Sequence, residues 1–414
     1  MKKKILALAI AASMLISLVG CGGGSSASSS NSASTSESVE ESSQESSSEE
    51  SEAASTSDSS TASGEVSIPV TTPDGDPVKI GMIWYGNTDP MGGTFYSWAN
   101  HAAELLGVEI EWALGSLTTA DELTDCENLI SAGCNGIYFI PMDTAANLQC
   151  GNLCAEAGVY WATSNRDIVD DDVLAACEAN PYFVTRIYDN SYDVCYDMVE
   201  VLADRGITKV CMLSGDPTDA MMIDRNAGFE DGCAEYGIEI LGTSQIESGN
   251  SAGVVDAVTN FLTVYPETEA ILAVSGTAGT GEAAISAIES AGSDAVLAAF
   301  DTFEGNQEAF DNGTLALSCG GYTSECLMSF LALVNAVMGN NIGADGVAVM
   351  TLAPLLITSS EDMEIFSEYV DNPDVQLYSD DLIMSLVGPD VTTEDYQAVL
   401  DDWSIDFVKE AVGI

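Results

Sequence analysis

The sequence predicts an α/β fold in two lobes, each built on a parallel sheet with helices on both faces. Two observations point to the sheets. From about Val66 to Ile414, the folded head, short apolar runs of strand length alternate with amphipathic segments of helix length. These runs are continuous rather than alternating, as expected for strands buried on both faces. Length supplies the second lobe, because a stretch of about 350 residues exceeds what one hydrophobic core usually spans.

The elements can be taken in order. Val78 to Tyr85 is a buried strand, Thr94 to Leu106 an amphipathic helix stopped by Gly107, and Val108 to Leu114 a second strand. Ala120 to Ala132 carries Leu123, Cys126, Leu129 and Ile130 at helical spacing, and Gly133 ends it. Gly136 to Ile140 is a third strand, Thr144 to Ala157 a helix and Val159 to Thr163 a fourth strand. Further strands are expected at Tyr182–Ile187, Lys209–Leu213, Ile238–Gly242, Ala270–Val274, Ala295–Phe300 and Leu315–Cys319, with a helix after most of them. The tail reads as a strand at Thr351–Thr358 and helices at Asp362–Tyr369, Thr393–Leu400 and Ser404–Val412.

Two segments precede the folded part. Lys2, Lys3 and Lys4 form a basic head, and Ile5 to Leu18 is an apolar run ending in Val19-Gly20-Cys21. This is the pattern of a secretory signal over residues 1–20. The run is shorter than the roughly 20 residues of a comfortable transmembrane helix. The cysteine at the cut resembles the lipobox of bacterial lipoproteins, which implies cleavage before Cys21 and acylation of its thiol. Gly22 to Glu65 is nearly all Ser, Ala, Gly, Thr and Glu with no aromatic residue. It cannot bury enough apolar surface to offset ordering entropy, so residues 21–65 are expected to be a disordered tether. Its r.m.s. span would be roughly 35–40 Å.

Charge excludes several functions. The formal net charge is −56, from 66 acidic and 10 basic residues. Beyond the leader the basic residues are Lys79, Arg166, Arg186, Arg205, Lys209, Arg225 and Lys409. Such a field repels phosphate backbones and excludes nucleic acid as a partner. His101 is the only histidine and no Cys-x-x-Cys occurs, so neither a metal nor a cofactor is expected. Cys150 and Cys154, one helical turn apart, are the only candidate metal pair. The cysteines in helix-like segments (Cys126, Cys150, Cys154, Cys177, Cys195 and Cys233) read as small buried residues. Gly276 to Gly281 follows a strand and opens a helix, but Glu282 stands where a phosphate loop needs Lys. There is no Gly-x-Ser-x-Gly elbow, and Asp170-Asp171-Asp172 lacks calcium-loop spacing.

In doubly wound sheets, ligands sit beyond the carboxyl ends of the strands at a switch point. The loops expected there are Gly86 to Tyr96, Ser164-Asn165-Arg166-Asp167, Ser214 to Pro217 leading to Asp224 to Phe229, Ser275-Gly276-Thr277 and Asp301-Thr302. Asp, Asn and Arg can form paired hydrogen bonds with vicinal hydroxyls, and an aromatic ring covers an apolar C–H face. That mixture suits a sugar. Structural alternatives stand beside this reading. Arg166 could be a surface charge, Asp301 a helix cap, Asn165 a turn residue, and one of Phe95 and Tyr96 a core residue. Trp84 and Trp161 could be core or could reach the cleft.

Here the chain resembles the type I periplasmic binding proteins of the ribose/galactose sugar-binding group, the solute receptors of ABC importers. The resemblance rests on Asn87 to Tyr96, Ile140-Pro141-Met142-Asp143, Asn165-Arg166, Arg225-x-x-Gly228-Phe229 and Ala299-Phe300-Asp301. It covers roughly residues 76 to 340. It implies two doubly wound, Rossmann-like lobes joined by a hinge, with no catalytic residue. Phe95 and Tyr96 would flank the ligand, Asn165 and Arg166 would bind ring hydroxyls, and Asp301 would be the second-lobe aspartate. Asn87, Trp84, Arg225, Ser275 and Tyr322 complete the candidate ligand-binding set. Ser275-Gly276-Thr277 and Gly320-Gly321-Tyr322 depart from the group's usual polar anchors, which argues against ribose itself.

The expected protein is therefore a lipid-anchored receptor on the outer face of a bacterial cell membrane. It would be a monomer that captures a sugar or nucleoside and delivers it to an ABC permease. The first lobe would span about 76–188 plus part of 320–350, and the second about 189–319 plus most of 351–414. A sensory receptor signalling to a membrane partner is the alternative, and a surface glycoside-acting enzyme a more distant one.

Overall fold

A computed structural model describes residues 66–217, 219–343 and 346–414. The leader, Cys21 and the tether lie outside the described residues. No described helix is long and apolar enough to cross a membrane.

Among the described residues, twelve strands form two six-stranded sheets with the same winding. The first sheet contains β1 (Lys79–Trp84), β2 (Glu109–Leu114), β3 (Gly136–Phe139), β4 (Tyr160–Asn165) and β5 (Phe183–Asp189). β11 (Ala348–Leu352) joins it from far along the chain, giving the order β2-β1-β3-β4-β5-β11. Every pairing in it is parallel. The second sheet contains β6 (Lys209–Ser214), β7 (Glu239–Gln245), β8 (Ala270–Ala273), β9 (Val296–Ala299), β10 (Leu315–Gly320) and β12 (Leu355–Ile357). Its order is β7-β6-β8-β9-β10-β12, parallel except for β12 against β10. The central strands are buried on both faces, as their unbroken apolar runs require: Ile80 and Met82 on one side of β1, Ile83 on the other. In each sheet the winding reverses beside the first strand, so the switch points lie between β1 and β3 and between β6 and β8.

Helices fill the connections. The first sheet carries α1 (Pro90–Leu106), α2 (Thr119–Ser131), α3 (Thr144–Ala157) and α4 (Asp171–Glu178). The second carries α5 (Ser191–Asp204), α6 (Ala220–Tyr236), α7 (Ser251–Val264), α8 (Thr280–Ala291) and α9 (Asn306–Asp311). Next come α10 (Thr323–Val337), α11 (Ser360–Ile365) continued by a π turn at Phe366–Val370, α12 (Asp380–Ser385), α13 (Thr393–Asp401) and α14 (Ile405–Val412). Helices α5 and α6 approach so closely that a Cβ at Gly228 would fall 2.2 Å from the Tyr192 carbonyl oxygen. Only glycine fits there.

The chain passes between the sheets three times. It leaves β5 through Asp189 and Asn190 to enter α5, which packs in the second core with β6 and β8. It returns from β10 through Gly320-Gly321-Tyr322 into α10, whose Ser329 hydroxyl donates to the Thr163 carbonyl in β4 (3.0 Å). It crosses again from β11 through Ala353-Pro354 to β12. The first and third passages are tied by Asn190 N–H to Leu352 O (2.9 Å). In the second, Gly321 has φ +88°, a left-handed conformation that suits glycine.

Three expectations change. Helix α1 begins at Pro90 rather than Thr94, because Asp89 caps it by accepting from Gly92 N–H (3.1 Å) and proline occupies the first turn. The single strand expected at Thr351–Thr358 is two strands in different sheets, divided at Ala353-Pro354 where proline cannot donate to a ladder. The tail does not lie mainly with the second sheet. Gln397 of α13 brackets Thr351 of β11, accepting from its N–H (3.1 Å) and donating to its C=O (2.9 Å). Trp98 of α1 donates to the Val375 carbonyl (2.7 Å), ahead of α12. Helix α11 packs on α9, and α14 packs on β12.

All ten cysteines of the described residues are buried and unbridged. Cys126 and Cys154 lie close, with sulfurs 3.8 Å apart. Among the described residues no cluster of His, Cys, Asp or Glu is placed to hold a metal ion.

Candidate functional site

The carboxyl ends of the strands carry a connected polar cluster. Asp301 follows β9 and has φ +71°, a conformation that aspartate tolerates better than most residues. Its carboxylate accepts from Tyr322 OH (2.7 Å), Ser275 Oγ (3.3 Å) and Arg225 Nη1 (3.3 Å). Arg225, on α6, is 3% exposed. It also donates to the Val274 carbonyl (3.0 Å) and Ser191 Oγ (3.2 Å), lies 3.5 Å from the Phe300 ring centroid, and faces Asp189 at 3.6 Å. Burial alone would pull its pKa down. Asp301, Tyr322 and Asp189 more than offset that, so the guanidinium stays charged. Burial and the Asp301 carboxylate push the Tyr322 hydroxyl well above its ordinary value, so it remains a donor.

The first sheet contributes the other side. Asn165 ends β4 with φ +71° and donates from Nδ2 to Glu325 Oε1 (3.1 Å). Glu325 lies in the first turn of α10 and is fully buried. Asp189 ends β5 and accepts from Ser191 Oγ (2.8 Å). Burial raises the Asp189 carboxyl and Arg225 pulls it back. Burial, then Asp189, raise the Glu325 carboxyl well above the carboxylate range, against the bond from Asn165. Strand ends of both sheets, one helix and the second passage thus meet around Arg225 and Glu325.

Asp301, Arg225, Ser275 and Tyr322 therefore fall within one bonded network, and Asn165 is bonded to Glu325 at the end of β4. The remaining candidates fall outside that network. Arg166 is exposed, and its Nη1 donates to the Met142 (2.9 Å) and Pro141 (3.5 Å) carbonyls, bracing the loop after β3. The buried arginine of this edge is Arg186 of β5, which pairs with Asp167. Phe95 is core: with α1 starting at Pro90, it turns inward among Trp84, Trp112 and Tyr138. Tyr96 packs on Trp112 at the β2 edge (ring centroids 4.7 Å). Trp84 is buried, though its Nε1 has no partner among the described residues. Trp161 is core, stacked on Phe183 at 3.9 Å. Asn87 is exposed in the loop after β1.

Two surface cavities lie elsewhere. One of about 360 Å³ is lined by Arg205, Val296, Phe310 and Leu315 at the amino edge of the second sheet. One of about 300 Å³ lies between β12 and α14. The cluster, at the carboxyl edge, occupies the position where such sheets bind ligands.

The family model described as "Periplasmic binding protein domain" matches residues 80–325. The chain belongs to this family. A curated relative, the "Putative rhizopine-binding protein" of Rhizobium meliloti, is 25% identical over 226 residues, covering 53% of this chain and 69% of that protein. The fold is shared with solved structures. The periplasmic ribose ABC transporter structure from Conexibacter woesei gives a TM-score of 0.60 at 16% identity, covering 70% of this chain and 95% of that one. An ABC transporter periplasmic solute binding protein from Actinobacillus succinogenes with bound D-allose gives 0.57 at 17% identity, covering 69% and 98%. The protein is thus a periplasmic-type binding protein of type I fold, and its family consists of binding proteins rather than enzymes.

Several residues of this binding protein's cluster escape sequence reading. Asp189 and Ser191 fall just beyond the expected strand end at Ile187. Glu325 had a usable signal: it is a charge at the head of an apolar helix whose every residue is buried. Glu122 of α2 is another hidden carboxyl, 1% exposed, accepting from Met142 N–H at 3.1 and 3.2 Å. Burial raises its pKa to about 7, against the bond from Met142. The native state then holds a proton that the unfolded chain has lost between about pH 4.5 and 7, so stability falls as pH rises through that window. Glu122→Gln keeps the acceptor and removes the charge. The variant is expected to be more stable than the parent at pH 8, on the order of 1–3 kcal/mol, and equal to it near pH 4.5. Thermal melts at both pH values check this. Part of the slope should persist through Asp371, whose carboxyl burial also raises to about 7.

Proposed function

We propose that the protein is an exported, lipid-anchored solute receptor. It captures a small sugar or polyol between the carboxyl edges of its two sheets and passes it to an ABC import permease. One observation carries the reading: Asp301 from the second sheet and Asp189 from the first meet on one buried guanidinium, that of Arg225. A ligand seated beside that junction can bond to groups from both sheets, with Asn165, Asp301, Ser275 and Tyr322 as its contacts. Such contacts stabilise the closed arrangement of a hinge, here made of three chain passages. The relatives' ligands, D-allose among them, support a polyhydroxylated solute. Lipidation at Cys21 and a tether to residue 65 would hold the receptor near its permease at high effective concentration.

A thermal-shift screen against monosaccharides and polyols tests the reading, because a ligand raises the melting temperature by mass action. Asp301→Asn tolerates the same backbone conformation and removes the charge. It is expected to weaken the bound solute about 10–150-fold, the worth of a hydrogen bond to a charged group. A screen with no responding sugar or polyol, or an Asp301→Asn variant of unchanged affinity, would count against the site.

A further inference from the structure

Helices α2 and α3 lie side by side on one face of the first sheet and share an apolar core with Leu129, Ile137, Phe139 and Trp161. Three cysteines fall in that seam: Cys126 from α2, and Cys150 and Cys154 one turn apart on α3. All three are fully buried. Cys126 meets Cys154 sulfur to sulfur at 3.8 Å, and its Sγ also touches the Cys150 carbonyl oxygen at 3.9 Å. Closing from 3.8 Å to the roughly 2.0 Å of an S–S bond asks each sulfur to move about 1 Å, which rotation about its Cα–Cβ bond can supply. The Cys150 thiol also interacts with Cys126 and is the competing partner.

We infer that Cys126 and Cys154 form a structural disulfide in the mature protein, joining α2 to α3. This rests on the export part of the receptor reading, because disulfides persist in the oxidising surroundings outside the cell. Once the two helices have docked, the sulfurs are out of reach, and apolar burial disfavours the thiolate, which is the reactive form. The bond therefore forms while the chain is still folding. Two thiols give up two protons and two electrons and join as one S–S bond. A disulfide oxidant accepts them, its own S–S bond breaking to give two thiols.

The bond closes a loop of 28 residues that contains β3. That removes freedom from the unfolded chain and so favours the folded one. It also secures the carboxyl-edge turn at Pro141 to Asp143. Glu122, one helical turn before Cys126, accepts from Met142 N–H, and Asp143 caps α3. A covalent link between the two helices keeps both of these contacts in register.

Oxidative refolding of the full chain tests it. The protein is reduced in denaturant and refolded in a mixture of reduced and oxidised glutathione. Free thiols are then alkylated and the peptides mapped by mass spectrometry. The expected product has two fewer free thiols than the reduced chain and a peptide pair joining Cys126 to Cys154. Its melting temperature should lie roughly 3–10 °C above that of the dithiothreitol-treated form. Cys126→Ala and Cys154→Ala should each lose the bridge and the shift, and Cys150→Ala should keep both. No loss of thiols, a bridge from Cys126 to Cys150, or a Cys126–Cys154 bridge that leaves the melting temperature unchanged overturns the inference. Should the alanine variants fail to fold, the map and melt of the unaltered chain still decide. Refolding supplies its own oxidant and no solute, so a failure here leaves the receptor reading standing, and a sugar screen without a response leaves the bridge standing.

Discussion

Arg225→Met is expected to lower stability by about 3–5 kcal/mol, the cost of leaving buried charges unpaired. Met fills much of the same space, so the loss measures charge rather than volume. Asp301, whose side chain is 15% exposed, and Asp189, at 7%, would then face each other without their shared cation. The Val274 carbonyl, the Ser191 hydroxyl and the Phe300 ring would each lose a partner. Denaturant titration checks the loss. Adding Asp189→Asn should recover part of it, because one of the stranded charges disappears. Arg225→Lys should fail nearly as badly, since one ammonium cannot spread over five partners as a planar guanidinium does. A variant within 1 kcal/mol of the parent would mean that the cluster is solvated rather than buried.

Trp403→Ala is the second large effect, again about 3–5 kcal/mol. Trp403 is 5% exposed and lies between α13 and α14. It stacks on Tyr378 (5.9 Å), packs on Phe407 (5.6 Å) and meets Trp98 of α1 edge-on (6.4 Å). Its Nε1 donates to the Gly321 carbonyl in the second passage (3.0 Å). One side chain therefore joins the tail, the first helix and the hinge. Trp403→Phe keeps most of the packing and loses the hydrogen bond, so a cost nearer 1 kcal/mol is expected. The comparison of the two variants by chemical denaturation separates packing from the bond. If Trp403→Ala were mild, the tail would be an appendage rather than part of the core.

The sheet strands were legible because burial on both faces leaves an unbroken apolar signature, as at Ile80 to Trp84. Strand ends were less so. Asn165 and Asp189 are polar residues that complete β4 and β5, and an apolar pattern stops before such residues. Helix α1 was read four residues short because Pro90, Gly92 and Gly93 look like a loop. Its true start depends on the Asp89 cap, and that shift carries Phe95 from the expected ligand face into the core. The candidate site was half legible. Asp301, Arg225 and Ser275 lie on segments that the strand-end rule picks out, and Tyr322 enters with the family resemblance. Arg166 lies on such a loop too, but its side chain turns onto neighbouring loop carbonyls, and that depends on packing that no local pattern encodes. The tail divides between the sheets for a similar reason. Strands β11 and β12 are close in sequence, yet the proline between them sends each to a different sheet.

That separation has a practical consequence. Neither half of the molecule is a continuous piece of chain: the first needs β11, which follows β10 of the second sheet, and the second needs β12, which follows β11 of the first. A fragment ending at residue 188 would expose the edge of β5 that β11 covers, and so would not stand alone. A protease severing any single passage would leave both halves held by the remaining connections, so a nicked molecule should still migrate as one particle until it is unfolded.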